Sequence, residues 1–303
     1  MIRKYLLISL MLLLFLLVFN NHLYMASIKS DQHLYEKGIN FLDNNQSPFA
    51  LDYFYKVIKN YPNSRYTPKS ISKIMQTKYF FQEYNKVINL YEKHEKLIKK
   101  HMKEDVLSVG DIYPYVLASY YDLEKYDKIL NFSDYVGVFK DTNNEKILLY
   151  LASAALRLDK YSLFEKYDNK ITSNYSKSGL GFILYEKGRV EQSFKYFNYF
   201  LNNVTEKDLV SNNGVQVLFS LGYVYLKTNR GKQFQKYLNP LLEKISYEEE
   251  NLDKILFILG KVQMGSNLHE EAKHSFEKIK KYYPDSNLIE DCNNYIKELD
   301  KRI

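Results

Sequence analysis

The sequence of 303 residues has few of the residues on which compact sites depend. It contains one cysteine, Cys292, and no tryptophan. A single cysteine excludes an intramolecular disulfide and a cysteine-based metal site, and Cys292 is expected to be a buried, inert thiol. None of the 6 histidines has a second histidine four residues away, the spacing that places two ligands on one helical face. We therefore predict no metal site and no cofactor.

Signatures of catalysis are equally scarce. Gly179 and Gly181 form a lone G-x-G with no third glycine and no preceding strand, which favours a helix-packing glycine over a phosphate-binding loop. The carboxylate pair Glu249 and Glu250 lies in a polar loop, where nothing would raise a pKa for acid catalysis. The sequence predicts no catalytic residue and a protein that is not an enzyme.

Charge of one sign is nowhere concentrated. The formal net charge is +7, but 43 basic and 36 acidic residues are interspersed, as in residues 92–105. A nucleic-acid-binding protein needs basic residues grouped on one surface, so no nucleic acid is expected as a partner. Hydrophobic residues make up 46% of the chain and charged residues 26%, which indicates a folded protein.

The one long apolar run is at the N-terminus. Arg3 and Lys4 precede an apolar segment, and residues 5–26 together can span a membrane with the N-terminus in the cytoplasm. No good small-x-small cleavage site follows, which favours an uncleaved signal anchor over residues 1–28. The alternative is a cleaved signal peptide that leaves a soluble periplasmic protein. Either interpretation places residues 29–303 outside the cytoplasm.

A fifteen-residue pattern occurs near both ends of the rest of the chain. Residues 50–64 read ALDYFYKVIKNYPNS and residues 272–286 read AKHSFEKIKKYYPDS. A small residue followed by an aromatic residue four positions later lies on one helical face, and the proline ends that helix. Two such phrases far apart indicate a repeat architecture.

The spacing resembles the tetratricopeptide repeat, in which a small residue on a first helix is followed twelve positions later by a small residue on a second helix. Two sets have every interval of that family: Gly38, Ala50, Phe54 and Pro62, and Gly260, Ala272, Phe276 and Pro284. The same step of twelve gives five further pairs: Met75 and Val87, Ala118 and Leu130, Ala152 and Phe164, Gly181 and Ser193, and Gly222 and Phe234.

The resemblance implies an all-α, right-handed superhelical solenoid of about seven helix pairs. A capping helix is predicted over residues 287–300, a short helix over 161–171, and extra turns at 97–110 and 201–214. Pro240 is expected to kink a second helix, and Ser47 to cap the helix that Pro48 begins.

In this family the first helices line a concave surface that binds partners. Relative to the small residue, the resemblance places the groove three positions before it and one, four and five after it. The predicted partner-binding residues are Tyr115, Asp122, Leu149, Arg157, Phe182, Tyr185, Phe219, Tyr223 and Lys227, with Ser119, Leu123, Ser153, Leu156, Ser178, Glu186 and Leu226 in the same rows. Aromatic anchors of this kind suit a peptide or a helix of another protein.

The combined layout predicts a non-catalytic protein-interaction scaffold, tethered to the inner membrane and facing the periplasm. It is similar to that of periplasmic tetratricopeptide proteins in the collar of spirochaete flagellar motors. An alternative is an adaptor for outer-membrane biogenesis or cell division, whose repeats carry similar F-x2-[VI]-x3-YP-[ND]-S phrases. A lytic enzyme built on a helical solenoid fits less well, because no catalytic glutamate is found. The oligomeric state stays open.

Overall fold

The computed structural model describes residues 30–104, 106–135 and 144–303, and every regular element within them is helical. Residues 30–43 form α1. The helices that follow are α2 (Ser47–Asn60), α3 (Tyr66–Phe80), α4 (Tyr84–Lys103), α5 (Tyr113–Asp122), α6 (Tyr126–Leu130), α7 (Glu145–Arg157), α8 (Tyr161–Asp168), α9 (Asn174–Glu186), α10 (Val190–Asn203), α11 (Glu206–Leu209), α12 (Asn212–Lys227), α13 (Gly231–Leu242), α14 (Leu252–Gly265), α15 (His269–Tyr282) and α16 (Ile289–Leu299).

The described helices confirm the predicted series of pairs. The pairs are α1/α2, α3/α4, α5/α6, α7/α8, α9/α10, α12/α13 and α14/α15, and α16 follows as the cap. The predicted anchor at residues 5–26 lies outside the described residues. Of the helices described, none combines the length and the apolar character needed to cross a membrane. The right-handed superhelix and the boundary between residues 1–28 and 29–303 stay predictions.

The chain divides into two compact units, Met1–Lys170 and Ile171–Ile303, called unit 1 and unit 2 below. In unit 1, Ala50, Phe54 and Ile74 are fully buried where α1, α2 and α3 meet. Farther along unit 1, the ring of Phe132 lies 5.6 Å from the ring of Tyr91 and 5.2 Å from that of Tyr113. Aromatic side chains therefore supply much of the packing between its second helices and the helices that follow.

Each of the three second helices of unit 2 completely buries a phenylalanine that faces the first helix of its own pair or the next. These residues are Phe197 on α10, Phe234 on α13 and Phe276 on α15. Helix α16 then covers the last pair with Cys292 and Leu299, which are also fully buried. Burial raises the pKa of the Cys292 thiol to about 11, so the expected buried thiol is confirmed.

Small residues on the first helices sit where the second helices approach most closely. A Cβ added at Gly38 would lie 2.5 Å from Cε1 of Phe54, and one added at Gly181 would lie 2.7 Å from Cε1 of Phe197. The same 2.7 Å separates a Cβ at Gly260 from Phe276. In all three pairs the phenylalanine follows the glycine by sixteen residues. The interval that recurs in the sequence therefore reflects this contact between the two helices of a pair.

The two similar phrases have the same structural use. The backbone at Tyr61 and at Tyr283 leaves the helix with φ of −133°, and the amide of each still donates to the carbonyl four residues earlier. The serine three residues later accepts a hydrogen bond from the backbone two residues on, 3.0 Å at Ser64 and 3.3 Å at Ser286. The phrase therefore ends one helix and begins the next.

The departures from a regular repeat are where the sequence predicts them. Helix α8 is short, with 8 residues, and the extra turns are α11 and the 3-10 turn Val109–Asp111. Pro240 lies in the last turn of α13, so the expected interruption takes the form of a helix end. One capping prediction is wrong by a residue: Gln46 precedes α2 without a side-chain hydrogen bond, and Ser47 is already helical because Pro48 tolerates the second position as well as the first.

Candidate functional site

The turn inside each pair fixes the register of the first helix. One residue in every such turn has a positive φ between 56° and 75°: Asn45, Gln82, Glu124, Asp159, Gly188, Asn229 and Asn267. In six pairs this residue follows the predicted anchor by seven positions. In the third pair Glu124 follows Leu117 by seven, and Leu117 is fully buried while Ala118 is 3% exposed. The anchor is therefore Leu117, one residue before the predicted one.

This shift changes which residues of α5 belong to the predicted row. Asp122 remains, now five positions after the anchor, and Tyr121 takes the position four after it. Tyr115 is no longer at a predicted groove position. Its ring still packs beside such positions, because it lies 5.9 Å from the ring of Tyr79 and 6.5 Å from that of Phe80. Phe80 is 69% exposed, so this corner of unit 1 presents an accessible aromatic surface.

Tyr79 and Phe80 are site residues that the sequence interpretation missed. They lie four and five positions after Met75, which are groove positions by the same rule. Their pair has the weakest family pattern, and the prediction covered only the four pairs anchored at Ala118, Ala152, Gly181 and Gly222. Applying the rule to all seven pairs would have found them.

Asp122 is held by two tyrosines of the preceding pair. Tyr79 on α3 and Tyr84 on α4 both donate side-chain hydrogen bonds to its carboxylate, and Tyr79 also bonds to Tyr150 on α7. Burial, and next the Asp122 charge, raise the pKa of Tyr79 and of Tyr84. Asp122 therefore joins its own pair to the preceding one, and Tyr79 extends the network to Tyr150 on α7, on the face where the prediction places a partner.

The remaining predicted residues of unit 1 are half-buried. Nε of Arg157 donates to the hydroxyl of Tyr121 at 3.5 Å, and the Tyr121 ring lies 5.8 Å from that of Tyr150. Leu149 lies on the same helix as Arg157 and is also half-buried. The structure thus brings Asp122 and Arg157 into one tyrosine-rich cluster.

A polar depression of about 370 Å³ lies beside this cluster. Tyr35, Lys69, Lys73, Gln76 and Tyr115 are among its lining residues. Nζ of Lys73 donates to Oε1 of Gln76 at 3.4 Å, three residues later on α3, so this ammonium group has a neutral partner. Two lysines against one carboxylate, Asp111, give the lining a net positive charge, which favours an anionic group as an occupant.

The predicted residues of α12 form the most exposed part of unit 2. Phe219 is 68% exposed and Tyr223, four residues later on the same helical face, is 56% exposed. Nζ of Lys227 lies 5.4 Å from the centre of the Tyr223 ring. We call Phe219, Tyr223 and Lys227 the α12 strip.

Phe182 and Tyr185 on α9 are used differently. Both are half-buried against the core of unit 2, and the Phe182 ring lies 4.9 Å from the buried ring of Phe197. These two side chains therefore contribute to packing, whereas the α12 strip does not. Glu186, at the end of the same helix, is exposed.

Four of the additional predicted groove positions are closed to a partner. Ser119, Ser153, Leu156 and Ser178 are buried. The hydroxyl of Ser119 donates to the carbonyl of Tyr115 at 2.7 Å, and that of Ser178 donates to the carbonyl of Tyr175 at 2.8 Å. Small polar residues that bond within their own helix let the next helix approach closely.

Nothing in the described ranges groups three or more His, Cys, Asp or Glu side chains where they could hold a metal ion. Both units expose large aromatic side chains among their charged residues, such as Phe80 in unit 1 and Phe219 in unit 2. Surfaces of this composition are typical of binding to other proteins.

Comparisons with known proteins agree with this architecture. The family model "Tetratricopeptide repeat" matches residues 255–286, which cover most of α14 and α15. The chain has the fold of a tetratricopeptide-repeat protein. A crystal structure of a tetratricopeptide repeat protein from Parabacteroides merdae is similar over 89% of this chain and 99% of that one, with a TM-score of 0.51 and 16% sequence identity. No curated protein matches the sequence.

Proposed function

We propose that this protein is a non-catalytic scaffold that binds a segment of another protein on the faces of its first helices. The observation that carries the proposal is the α12 strip, where Phe219 and Tyr223 leave most of their surface accessible. Large exposed aromatic side chains on a folded surface typically mark interaction sites. Helical repeat folds of this type commonly bind proteins, which supports the same function.

We further propose that residues 5–26 hold the scaffold in the inner membrane and that the repeats face the periplasm. The support is the apolar run preceded by Arg3 and Lys4. Alkaline phosphatase, which is active only outside the cytoplasm, fused after Ile303 should be active and should sediment with membranes. A fusion that is active but soluble would support the cleaved alternative, and an inactive one would contradict the orientation.

The assembly proposed for this scaffold is a cell-envelope complex such as the periplasmic collar of a flagellar motor. The biogenesis or division adaptor is the second candidate, and its support was the shared YP-[ND]-S phrases. In this fold Tyr61, Ser64, Tyr283 and Ser286 end and begin helices. Because these phrases are needed for the chain turns, they favour neither candidate. The membrane-tethered layout favours the first.

The decisive experiment compares partner capture by three variants of the full chain in cells. A photo-crosslinking residue at position 216, next to the strip on α12, would trap the partner for identification. Phe219→Ser combined with Tyr223→Ser should lower the crosslinked yield at least about tenfold. The same double change should alter the free energy of unfolding by only about 0.5 kcal/mol per site, because both side chains are exposed.

Two controls separate binding from folding. Tyr55→Ser removes an aromatic side chain that is 45% exposed on the second helix α2, and should leave the yield unchanged. Phe182→Ser removes a ring packed on Phe197 and should destabilise unit 2 by about 3 kcal/mol. Capture that survives the double change with normal yield would contradict the proposed face. Trapped motor components would select the collar, and trapped outer-membrane assembly components would select the adaptor.

A further inference from the structure

The first pair of unit 1 has a face that the later pairs of that unit cover. The residue just before the anchor is Ile74 on α3, Val116 on α5 and Leu151 on α7, and all three are fully buried. Ile74 shows the reason, because it packs in one cluster with Phe54 of the preceding second helix, α2. In the first pair the same position is Lys37, which is exposed. Within the part of the chain that the structure describes, no helix precedes α1, so this side of the first pair is open.

A second position of the first pair differs in the opposite sense. Eleven residues after the anchor, five of the other six pairs have a polar residue: Lys86, Lys128, Gln192, Gln233 and Glu271. The first pair has Phe49 there, and its side chain is 61% exposed. The first pair is thus charged where the later pairs of unit 1 are apolar, and aromatic where most other pairs are polar. A core between two pairs requires neither residue.

Four side chains form one surface on this side, which we call the end face: Lys37, Phe41, Phe49 and Tyr53. The ring of Phe41 stacks on that of Tyr53 with centroids 5.4 Å apart, and lies 5.6 Å from the ring of Phe49. Nζ of Lys37 lies 5.8 Å from the centre of the Tyr53 ring. A depression of about 370 Å³ is lined by Lys37, Phe41 and Tyr53 together with polar residues of α1. The end face therefore combines accessible aromatic rings with one ammonium group.

This ammonium group has no acidic partner on the protein. Lys37 forms no ion pair among the described residues, and the adjacent Glu36 accepts a hydrogen bond from Gln32 at 2.7 Å. Aromatic rings beside a lysine are typical of surfaces that lie at lipid headgroups. The rings there occupy the boundary with the acyl chains, while the ammonium group on its flexible stem reaches the phosphates. The composition of the end face is complementary to such a surface.

The predicted membrane segment ends a short distance from the end face along the chain. Three residues separate residue 26, where that segment ends, from residue 30, where α1 begins. Four steps between Cα atoms span at most about 14 Å. Phe41 lies eleven residues farther along α1, or about 16 Å at the rise of an α-helix. The end face is thus within about 30 Å of the end of the segment, and it can contact the membrane when α1 runs along the membrane surface.

We propose that the end face lies against the phospholipid surface of the membrane, with α1 along that surface. This inference rests on the membrane tether proposed above. Phe41, Phe49 and Tyr53 enter the interface, and Lys37 reaches the phosphate groups. The contact fixes the orientation of the first pair relative to the membrane, which a connection of three residues does not do by itself. It uses no residue of the α12 strip.

The test exploits the absence of tryptophan from the chain, because one substitution then gives a single indole fluorophore. The variant is Phe49→Trp, and the matched control is Tyr55→Trp. Tyr55 is 45% exposed on the same helix, and it follows Tyr53 by two residues, which places it on the opposite side of α2. Both full-length chains are reconstituted into vesicles of equal parts phosphatidylcholine and phosphatidylglycerol, with and without bromine on the upper acyl chains.

Brominated lipid should quench the two variants differently. A side chain in the interface lies about 5–10 Å into the boundary of headgroups and acyl chains, so the Phe49→Trp chain should lose at least about half of its emission. The Tyr55→Trp chain should lose less than about a tenth, because its indole stays in water. Flotation of the same samples reports whether the chain is held by the vesicles at all.

Charge reversal tests the contact of Lys37 with the phosphates. Lys37→Glu, added to the Phe49→Trp chain, should reduce the quenching at least about twofold, because a carboxylate then faces anionic headgroups. The matched control is Lys93→Glu, which makes the same charge change at an exposed lysine of α4 in the second pair. This control should leave the quenching unchanged. Equal loss in the two variants would refute the proposed contact, since overall charge and not the end face would then govern the quenching.

The remaining outcomes separate the end face from the tether. A chain that floats with the vesicles, but whose Phe49→Trp emission is quenched no more than that of Tyr55→Trp, would overturn the docked end face and leave the tether intact. A chain that stays in the soluble fraction would contradict the tether, and the docking that rests on it would fail too. Disulfide crosslinking of Phe49→Cys between two copies, without bromine quenching of Phe49→Trp, would identify a second copy on the end face and overturn the membrane contact.

Discussion

At the scale of single residues, the turn inside each pair requires a left-handed backbone conformation. Seven turns need a residue with positive φ, and Asn, Asp or Gly supplies it in five of them. Asn, Asp and Gly adopt this conformation at low cost, whereas other residues lose roughly 1–2 kcal/mol. Gln82 and Glu124 are the two exceptions. Gln82 lies in the second pair and Glu124 in the third, where the family pattern is weak.

Glu124→Gly should stabilise unit 1, because glycine accepts φ of 57° without the steric cost. After the loss of chain entropy in the unfolded state, the net gain should be about 0.5–1 kcal/mol. Gly188→Ala is the matched change in unit 2, where φ is 75° and no atom lies within 4 Å of an added Cβ. It should cost about 1 kcal/mol through backbone strain alone. Urea unfolding followed by circular dichroism measures both changes. A lower free energy of unfolding for Glu124→Gly would contradict the proposed backbone strain at Glu124.

These turn residues were only partly predictable. The interval of seven from the anchor recurs in the sequence, and an Asn, Asp or Gly at that interval could have been recognised. Gln82 and Glu124 give no such signal, since their conformation is imposed by the two helices they connect. The third anchor was consequently placed one residue late, because Ala118 has the small side chain that the pattern favours while Leu117 has the contact.

At the scale of helices, a glycine is informative only where another helix approaches it. Gly179 and Gly181 lie on the same helix, α9, two residues apart. An added Cβ at Gly179 meets nothing within 4 Å, whereas at Gly181 it would lie 2.7 Å from Phe197. In the sequence the two glycines form one G-x-G motif. In the structure only Gly181 packs closely against another helix.

Gly179→Ala and Gly181→Ala should therefore change the free energy of unfolding in opposite directions. Alanine at position 179 should raise the free energy of unfolding by up to about 1 kcal/mol, the helix-propensity difference. Alanine at position 181 should lower it by about 1–3 kcal/mol, because Phe197 is fully buried and cannot move away without repacking. Thermal and urea unfolding of the two variants measure the difference. A neutral or stabilising Gly181→Ala would show that α9 and α10 separate easily.

The groove positions show why helices were predicted better than sites. Periodicity identifies the face of a helix, and it placed Phe219, Tyr223 and Lys227 on an exposed face correctly. It does not show how far the neighbouring pairs cover that face, which is why Ser119, Ser153, Leu156 and Ser178 were included although they are buried. The same limit explains Asp122, whose two tyrosine partners come from the preceding pair, α3/α4.

At the scale of the whole molecule, each of the two units is a series of pairs that bury their surface against neighbouring pairs of the same unit. Number and order of the pairs follow from one interval of twelve residues carried along the sequence. A cleft of about 500 Å³ lined by α13, α14 and α15 could not be predicted in this way, because it depends on the spacing of two second helices and on the connector between α13 and α14. A distance between elements is a tertiary property that no local pattern encodes.

In a repeat array, removal of the capping helix should destabilise the nearest pairs most and the distant pairs least. The ring of Tyr295 on α16 stacks on that of Phe276 with centroids 5.3 Å apart, and Lys261 donates to its hydroxyl at 2.8 Å. Deleting residues 287–303 exposes Phe276 and should speed hydrogen exchange about tenfold or more in α15 and α14. The effect should decline through α13 and α12 and be small in α9, because each pair contacts only its neighbours. Deleting residues 301–303 alone, all exposed, should change nothing. Equal acceleration from α9 to α15 would instead mean that unit 2 unfolds as a single cooperative body.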